Sequence, residues 1–429
     1  MYPNLYYIFK DLFGVEWNWL KLINTFGFFV ACAFLVCAWV LTLELRRKER
    51  QGLLTYTEKE IQVGAPASVG ELLLNFILGY VFGFKILGAF FLPGALNDPQ
   101  AFILSGQGSV LWGVVLGGFF AGLKWWEKNK QKLAKPEART IRIWPHDRVG
   151  DIVIYAAIFG FAGAKIFNSF ETWDDFVKDP IGSLISFSGL TFYGGLICAT
   201  IAIAYYAKRH NIKIIHLADT MAPVMMLAYG LGRIGCQVAG DGDWGILNSA
   251  FISDASGHLI PATKEQFNMA LQNNQFFYIK QFGSLDAVHH LSVQPFWGLP
   301  NWMFAYNYPH NVINEGVNTV GCAGQYCSHL PISVFPTPLY EIIMCVILFF
   351  VLWSLRTRLK LAGQMTGLYL ILNGLERFFI EKIRVNSKYE GLPFQPTQAE
   401  IISSLLVIGG IVLLWYASKA KIKPGQSLS

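Results

Sequence analysis

Residues 23–43 read INTFGFFVACAFLVCAWVLTL, and residues 44–50, which follow, read ELRRKER. The first stretch carries no charged side chain and has the length a helix needs to cross a hydrocarbon core about 30 Å thick. The second holds Arg46, Arg47, Lys48 and Arg50. An apolar run closed by a basic block reads as a membrane span with that end in the cytoplasm. Runs of similar length recur at 70–92, 107–123, 150–170, 185–206, 216–238, 337–354, 366–383 and 399–418. The expected fold is all-α, a polytopic membrane protein of about nine transmembrane helices.

Composition agrees. Of 429 residues, 53% are hydrophobic and 14% charged, against about 25% charged in an ordinary soluble domain. The net charge of +6 does not point to nucleic acid, because Lys and Arg sit in short blocks between apolar runs. Those blocks set the orientation. Lys59 joins the first block, eight Lys and Arg lie from Lys124 to Arg148, and Lys208, Arg209 and Lys213 mark a third turn. Arg356, Arg358 and Lys360 mark the next, and Lys419, Lys421 and Lys423 the tail. The intervening connections are poor in base, so the N-terminus is expected outside and the C-terminus in the cytoplasm. The first 22 residues, rich in Tyr and Trp, read as an interfacial segment and not as a cleavable signal.

Five parts are expected: 1–69, holding the interfacial segment, first span and cytoplasmic loop; 70–149, an additional two-helix hairpin; 150–238, a second hairpin and the helix that follows it; 239–335, an exterior loop; and 336–429, three closing helices. The hairpins are copies. Gly70-Glu71 matches Gly150-Asp151, Gly83 matches Gly163, and Lys85-Ile86 matches Lys165-Ile166, all 80 residues apart. After one extra residue, Gly108, Trp112 and Gly113 match Gly189, Tyr193 and Gly194. Both end in a basic block, so the repeat is parallel, unlike the inverted repeats of many transporters. The second copy continues with Gly195-Leu196 where the first has Val114-Val115. The first is therefore expected to support structure and the second to share in function.

Charged side chains within spans are costly, which makes each a functional candidate. The sixth span ends in GLGRIGCQVAGDGDWG, residues 230–245, with Arg233 about a turn inside the boundary and Asp241 in the turn beyond. The plainer reading of Arg233 is a structural arginine reaching to the interface. The Asp-Gly-Asp run lacks the remaining ligands of a calcium loop, and no metal or organic cofactor is expected. The eighth span carries Asn373, Arg377, Glu381 and Arg384 at steps of four, four and three, along one helical face. Lys382, Arg384 and Lys388 also break the orientation rule by placing base on the outer side, where an anionic lipid headgroup would account for them. Between these spans, Pro336 to Glu341 (PTPLYE) opens the seventh helix with Tyr340 and Glu341.

Together these stretches resemble the prolipoprotein diacylglyceryl transferase family, across roughly residues 150–420. The resemblance rests on Gly194-Gly195-Leu196-Ile197, Asp219, Ala222-Pro223, the signature Gly232-Arg233-Ile234-Gly235, Pro336 to Glu341, and the spacing Arg377, Glu381, Arg384. The chain departs from the family where Tyr193 replaces the usual His, and where Cys236, Ala239 and Asp241 replace two Asn and a Glu. The family reaction moves the sn-1,2-diacylglyceryl unit of phosphatidylglycerol to the lipobox cysteine of prolipoprotein signal peptides at the outer face of the bacterial cytoplasmic membrane. It implies Arg233 and Arg377 as donors to the departing phosphate, and Gly194, Gly195, Tyr340, Glu341, Asn373 and Arg384 as substrate-binding. A base for the thiol, whose pKa is near 8.5, is open between Asp241, Glu381 and Tyr193. A transporter or flippase for an anionic lipid and a non-catalytic relative are the competing readings. Cys322 and Cys327, in the exterior loop, are expected to form a disulfide in that oxidising compartment; Cys32, Cys37, Cys198 and Cys345 fall in apolar runs and read as inert buried thiols.

Overall fold

A computed structural model describes residues 1–96, 99–186, 189–386, 389 and 394–419. Lys388, Lys421 and Lys423 lie outside the described residues. Among the described residues, nine long helices carry the chain: α1 (Thr25–Arg50), α2 (Val69–Phe91, with a π-helical turn at Gly83–Leu87), α3 (Val110–Lys130), α4 (Val149–Glu171), α5 (Phe192–Arg209), α6 (Ile214–Ala239), α7 (Thr337–Leu355), α8 (Gln364–Glu381) and α9 (Gln398–Lys419). Six of them, α1, α2, α4 with its lead-in turn, α6, α7 and α9, are long and apolar enough to cross a membrane among the described residues. The protein is a mostly helical, polytopic membrane protein. The other three are 21, 18 and 18 residues long and hold charged residues in their last turns, with Lys124, Glu127, Lys128 and Lys130 on α3, Lys208 and Arg209 on α5, and Glu376, Arg377 and Glu381 on α8.

Two compact units divide the chain. One comprises residues 16–22 and 42–214, the other 1–15, 23–41 and 215–429. In the first, α2 packs on α3 and α4 on α5, and the two hairpins repeat each other's devices. A Cβ on Gly79 would lie 2.6 Å from the Leu116 carbonyl, and one on Gly163 would lie 2.5 Å from that of Gly194. Small residues at these seams bring the backbones into contact. The matched lysines do the same work in each copy. Lys85 Nζ donates to the carbonyl oxygens of Phe102 (3.2 Å), Ser105 and Gln107 (2.7 Å), and Lys165 Nζ to Ser183 O (3.1 Å) and Ser186 Oγ (3.0 Å). Each ammonium ties its helix to the connection that leads into the next.

Strands add to the helices in both units, which the all-α expectation did not include. Thr57–Val63 pairs antiparallel with Glu137–Ile143. In the other unit, the segment expected as an exterior loop is a folded subdomain. Its central strand Leu247–Ser253 pairs antiparallel with Leu259–Pro261 and Ile332–Val334 and parallel with His290–Leu291. Trp244, Phe267, Tyr278, Tyr308, Leu330 and Ile332 fill a core beneath it. Burial raises the Tyr308 hydroxyl well above its ordinary pKa and lowers that of His329. Cys322 and Cys327 are joined by a disulfide, with Cα atoms 5.6 Å apart.

Candidate active site

Within the second unit, α6, α7 and α8 bring three arginines and three carboxylates together. Arg233 stands near the end of α6, after which Gly240 (φ +67°) and Gly242 (φ +100°) adopt left-handed conformations open to glycine at little cost. That reversal returns Asp243 to the Arg233 guanidinium, which it meets through Nη1. Thr337, in the first turn of α7, fixes the turn by donating to Asp243 O at 2.9 Å. Arg384 reaches Asp243 from the other side at 2.6 Å. Its own position is set by backbone pairing with Gly245 and by Ile246 N–H donating to Ile383 O at 2.9 Å.

Glu341 is the centre of the cluster and is fully buried. Arg233 Nε lies 2.9 Å away, Arg377 Nη1 3.2 Å and Arg384 Nη1 3.6 Å. The Tyr229 hydroxyl donates to it at 2.6 Å. Arg377 also pairs with Glu381 at 2.9 Å, the expected i, i+4 contact. Three guanidinium charges thus face Glu341, Glu381 and Asp243, so the group is close to neutral, as a buried ionic site must be. The Arg233 and Arg377 side chains keep 17% and 19% of their surface exposed. Among the described residues, Arg233 Nη2 and Arg377 Nε meet no partner. These N–H edges are where an added anion would find donors.

The remaining candidates separate by environment. Glu381 is buried and accepts from Asn386 (2.6 Å) and Thr397 (2.7 Å) through Oε1 while its Oε2 is ion-paired with Arg377, which ties α8 to the start of α9. Asp219 holds the opposite end of α8, accepting from Gly363 N–H at 2.9 Å, Thr366 N–H at 3.0 Å and Thr366 Oγ at 2.8 Å. Asn373 lies half-buried one turn before Arg377. Tyr340 turns to the subdomain that precedes α7 and donates to Met303 O at 2.6 Å. Asp243, and not Asp241, stands between the arginines. Burial pushes the Asp241 carboxyl up; Asp243 is pushed the same way by burial, but Arg233 and Arg384 hold it below its ordinary value. Ligand atoms of Cys236, Asp241 and Asp243 lie within 4.8 Å of one another, but two guanidinium groups already occupy Asp243, which disfavours a cation there.

Tyr193, Gly194 and Gly195 open α5, in the unit built from the two hairpins. A Cβ on Gly195 would lie 2.9 Å from Gly160 O, and one on Gly194 would lie 2.7 Å from Gly163 O, so both glycines seat α5 on α4. Two residues of the arginine site, and a third beside it, were not selected from sequence. Tyr229 precedes Arg233 by one turn, a spacing that was available as a signal. Asp243 lay in the acidic turn but was not distinguished from Asp241. Glu376 is buried beside Arg377, with neither carboxylate oxygen hydrogen-bonded among the described residues; its charge was visible, but off the face that was read.

A membrane-embedded enzyme with a neutralised arginine–carboxylate centre at the ends of its helices is the class that fold and site define. The chain belongs to the prolipoprotein diacylglyceryl transferase family, which it matches over residues 130–416, and it is a transferase. A phosphatidylglycerol–prolipoprotein diacylglyceryl transferase of Xylella fastidiosa (strain M12) is 25% identical over 343 residues, covering 76% of this chain and 94% of that protein. One from Staphylococcus aureus (strain MSSA476) is 29% identical over 327 residues, 74% of this chain and 88% of its own. A third, from Staphylococcus haemolyticus (strain JCSC1435), is 25% identical over 355 residues, with coverage of 76% and 97%.

Proposed function

We propose that the chain transfers the sn-1,2-diacylglyceryl group of phosphatidylglycerol to the lipobox cysteine of prolipoprotein signal peptides, the first step of bacterial lipoprotein maturation. The observation that carries this is the buried Glu341, which engages all three arginines and fixes the N–H edges left on Arg233 and Arg377. Donors held in place before the reaction stabilise developing charge without reorganisation. In the step, the thiol gives its proton to a base and the thiolate attacks the glycerol carbon. The carbon–sulfur bond forms as the carbon–oxygen bond breaks, and the electron pair leaves on the phosphate oxygen. One negative charge on sulfur and one on the phosphodiester become two on the departing glycerol phosphate, which Arg233 and Arg377 receive.

Asp241 is the base this reading favours, because burial raises its pKa toward that of a thiol, whereas Glu381 is committed to three partners. Tyr193 serves as a hydrogen-bond donor to lipid or phosphate, since a phenol of pKa about 10 stays protonated at neutral pH. Gly194, Gly195, Asn373 and Arg384 border the substrate, no cofactor or metal takes part, and the first hairpin is a scaffold. The nine long helices all span the cytoplasmic membrane, with the N-terminus outside, the C-terminus inside and the site toward the outer leaflet. In support, the Met1 amine donates to Pro309 O at 2.6 Å, in the segment assigned to the exterior, and Tyr2 N–H to Val238 O at 2.9 Å, at the end of α6 that leads into it. Purified protein incubated with labelled phosphatidylglycerol and a lipobox peptide tests the reading. Thioether product supports it, movement of lipid without product favours a transporter, and neither outcome favours a non-catalytic relative.

A further inference from the structure

Between Leu291 and Pro309 the extramembrane subdomain contains no acidic or basic residue. Inside this stretch a loop presents Trp297, Leu299 and Trp302 outward, with Trp297 91% exposed. Its base is rigid. The buried Asn248 side chain donates to Val293 O (2.8 Å) and Phe304 O (3.0 Å) and accepts from Val293 N–H (3.1 Å), tying both ends of the loop together. Phe296 packs inward on Phe304, ring centroids 4.9 Å apart. At the tip, Trp297 (φ +56°) and Gly298 (φ +73°) hold left-handed conformations, an uncommon and costly state for a bulky residue, and one that keeps the indole pointing away from the subdomain core.

The loop is fastened to a helix long and apolar enough to cross a membrane. Tyr340, in the first turn of the membrane-crossing α7, donates to Met303 O at 2.6 Å, one residue past Trp302. The C-terminal end of the loop therefore lies beside the first turn of α7, the end at which that helix would enter the bilayer. Uncharged Trp-rich surface at that level matches the headgroup zone, where an indole buries its ring and keeps its N–H wet.

We propose that the loop Phe296–Trp302 is a membrane anchor, entering the lipid interface at the N-terminal end of α7. The proposal rests on the membrane-spanning reading of α7 and is independent of the transfer reaction. It is tested on the full-length protein in phosphatidylcholine vesicles, which hold no donor lipid, with a spin label at Trp297→Cys. Glu265→Cys, in the charged first turn of the Lys264–Asn273 helix, is the aqueous reference, and the unsubstituted chain is the labelling blank. The label at 297 is expected to collide more with oxygen, which partitions into lipid, than with a water-soluble nickel complex, and the label at 265 to show the opposite. Equal aqueous exposure at both sites overturns the proposal. So does a label at 297 that is shielded only after a lipobox peptide is added, which would make the loop a peptide contact.

Discussion

Arg233 is the residue whose replacement tests the site most sharply. It engages two carboxylates, Glu341 in an ion pair with Nε at 2.9 Å and Asp243 through Nη1, and the remaining edge is assigned to the departing phosphate. Arg233→Ala removes all three functions. It also changes the cluster from three cations against three carboxylates to two against three, and breaking a buried pair costs about 3–5 kcal/mol. Loss of activity in that variant therefore mixes chemistry with folding. Arg233→Lys separates them, since the ammonium keeps the charge but cannot present parallel donors. The lost hydrogen bond to a charged group is worth about 1.5–3 kcal/mol, which corresponds to transfer slower by about 10- to 150-fold. The alanine variant is expected to lose at least about 10²–10³-fold, as on removal of a preorganised donor. The assay is thioether formation on a lipobox peptide in phosphatidylglycerol vesicles, with membrane insertion and thermal stability followed in parallel. If Arg233→Lys is as well folded as the parent and turns over within about twofold of it, short of the loss estimated above, the phosphate role is refuted.

Four further outcomes are expected. Because burial raises Asp241, activity should fall as pH drops through a limb above the ordinary carboxylate value of about 3.9, and Asp241→Asn should remove that limb along with most of the rate; an active Asn variant with the limb unmoved excludes Asp241 as base. Tyr193→Phe should slow transfer without shifting the pH optimum, whereas a displaced basic limb in the pH–rate profile would make Tyr193 the base. Trp112→Phe, at the position in the first hairpin that matches Tyr193, should leave turnover nearly unchanged; a loss like that of the arginine variants at normal protein level would bring this hairpin into the reaction. Alkylation without reductant followed by mass spectrometry should find Cys322 and Cys327 unmodified, and two alkylated cysteines there would refute the disulfide.

The sequence by itself determined the helical membrane class, the long helices, the duplicated hairpin and the identity of the three arginines. All of these are written in local signals. A span is a run of consecutive apolar residues, a repeat is a constant offset, and a charge within a span is conspicuous because hydrocarbon does not solvate it. The α8 face was legible for the same reason, since residues four apart on a helix must meet, as Arg377 and Glu381 do. What joins residues distant in sequence was not legible. Leu247 pairs with Val334 across 87 positions, so the strands of the subdomain before α7, too short for a periodic pattern, form only when its core closes. The partners of Glu341 come from positions 229, 233, 377 and 384. Asp243 was chosen over Asp241 by two glycine conformations and the isolated backbone pairing of Gly245 with Arg384. Only the tertiary structure decides such matters, because a carboxylate's role depends on which charges the fold delivers to within about 4 Å of it, where their attraction outweighs the loss of water.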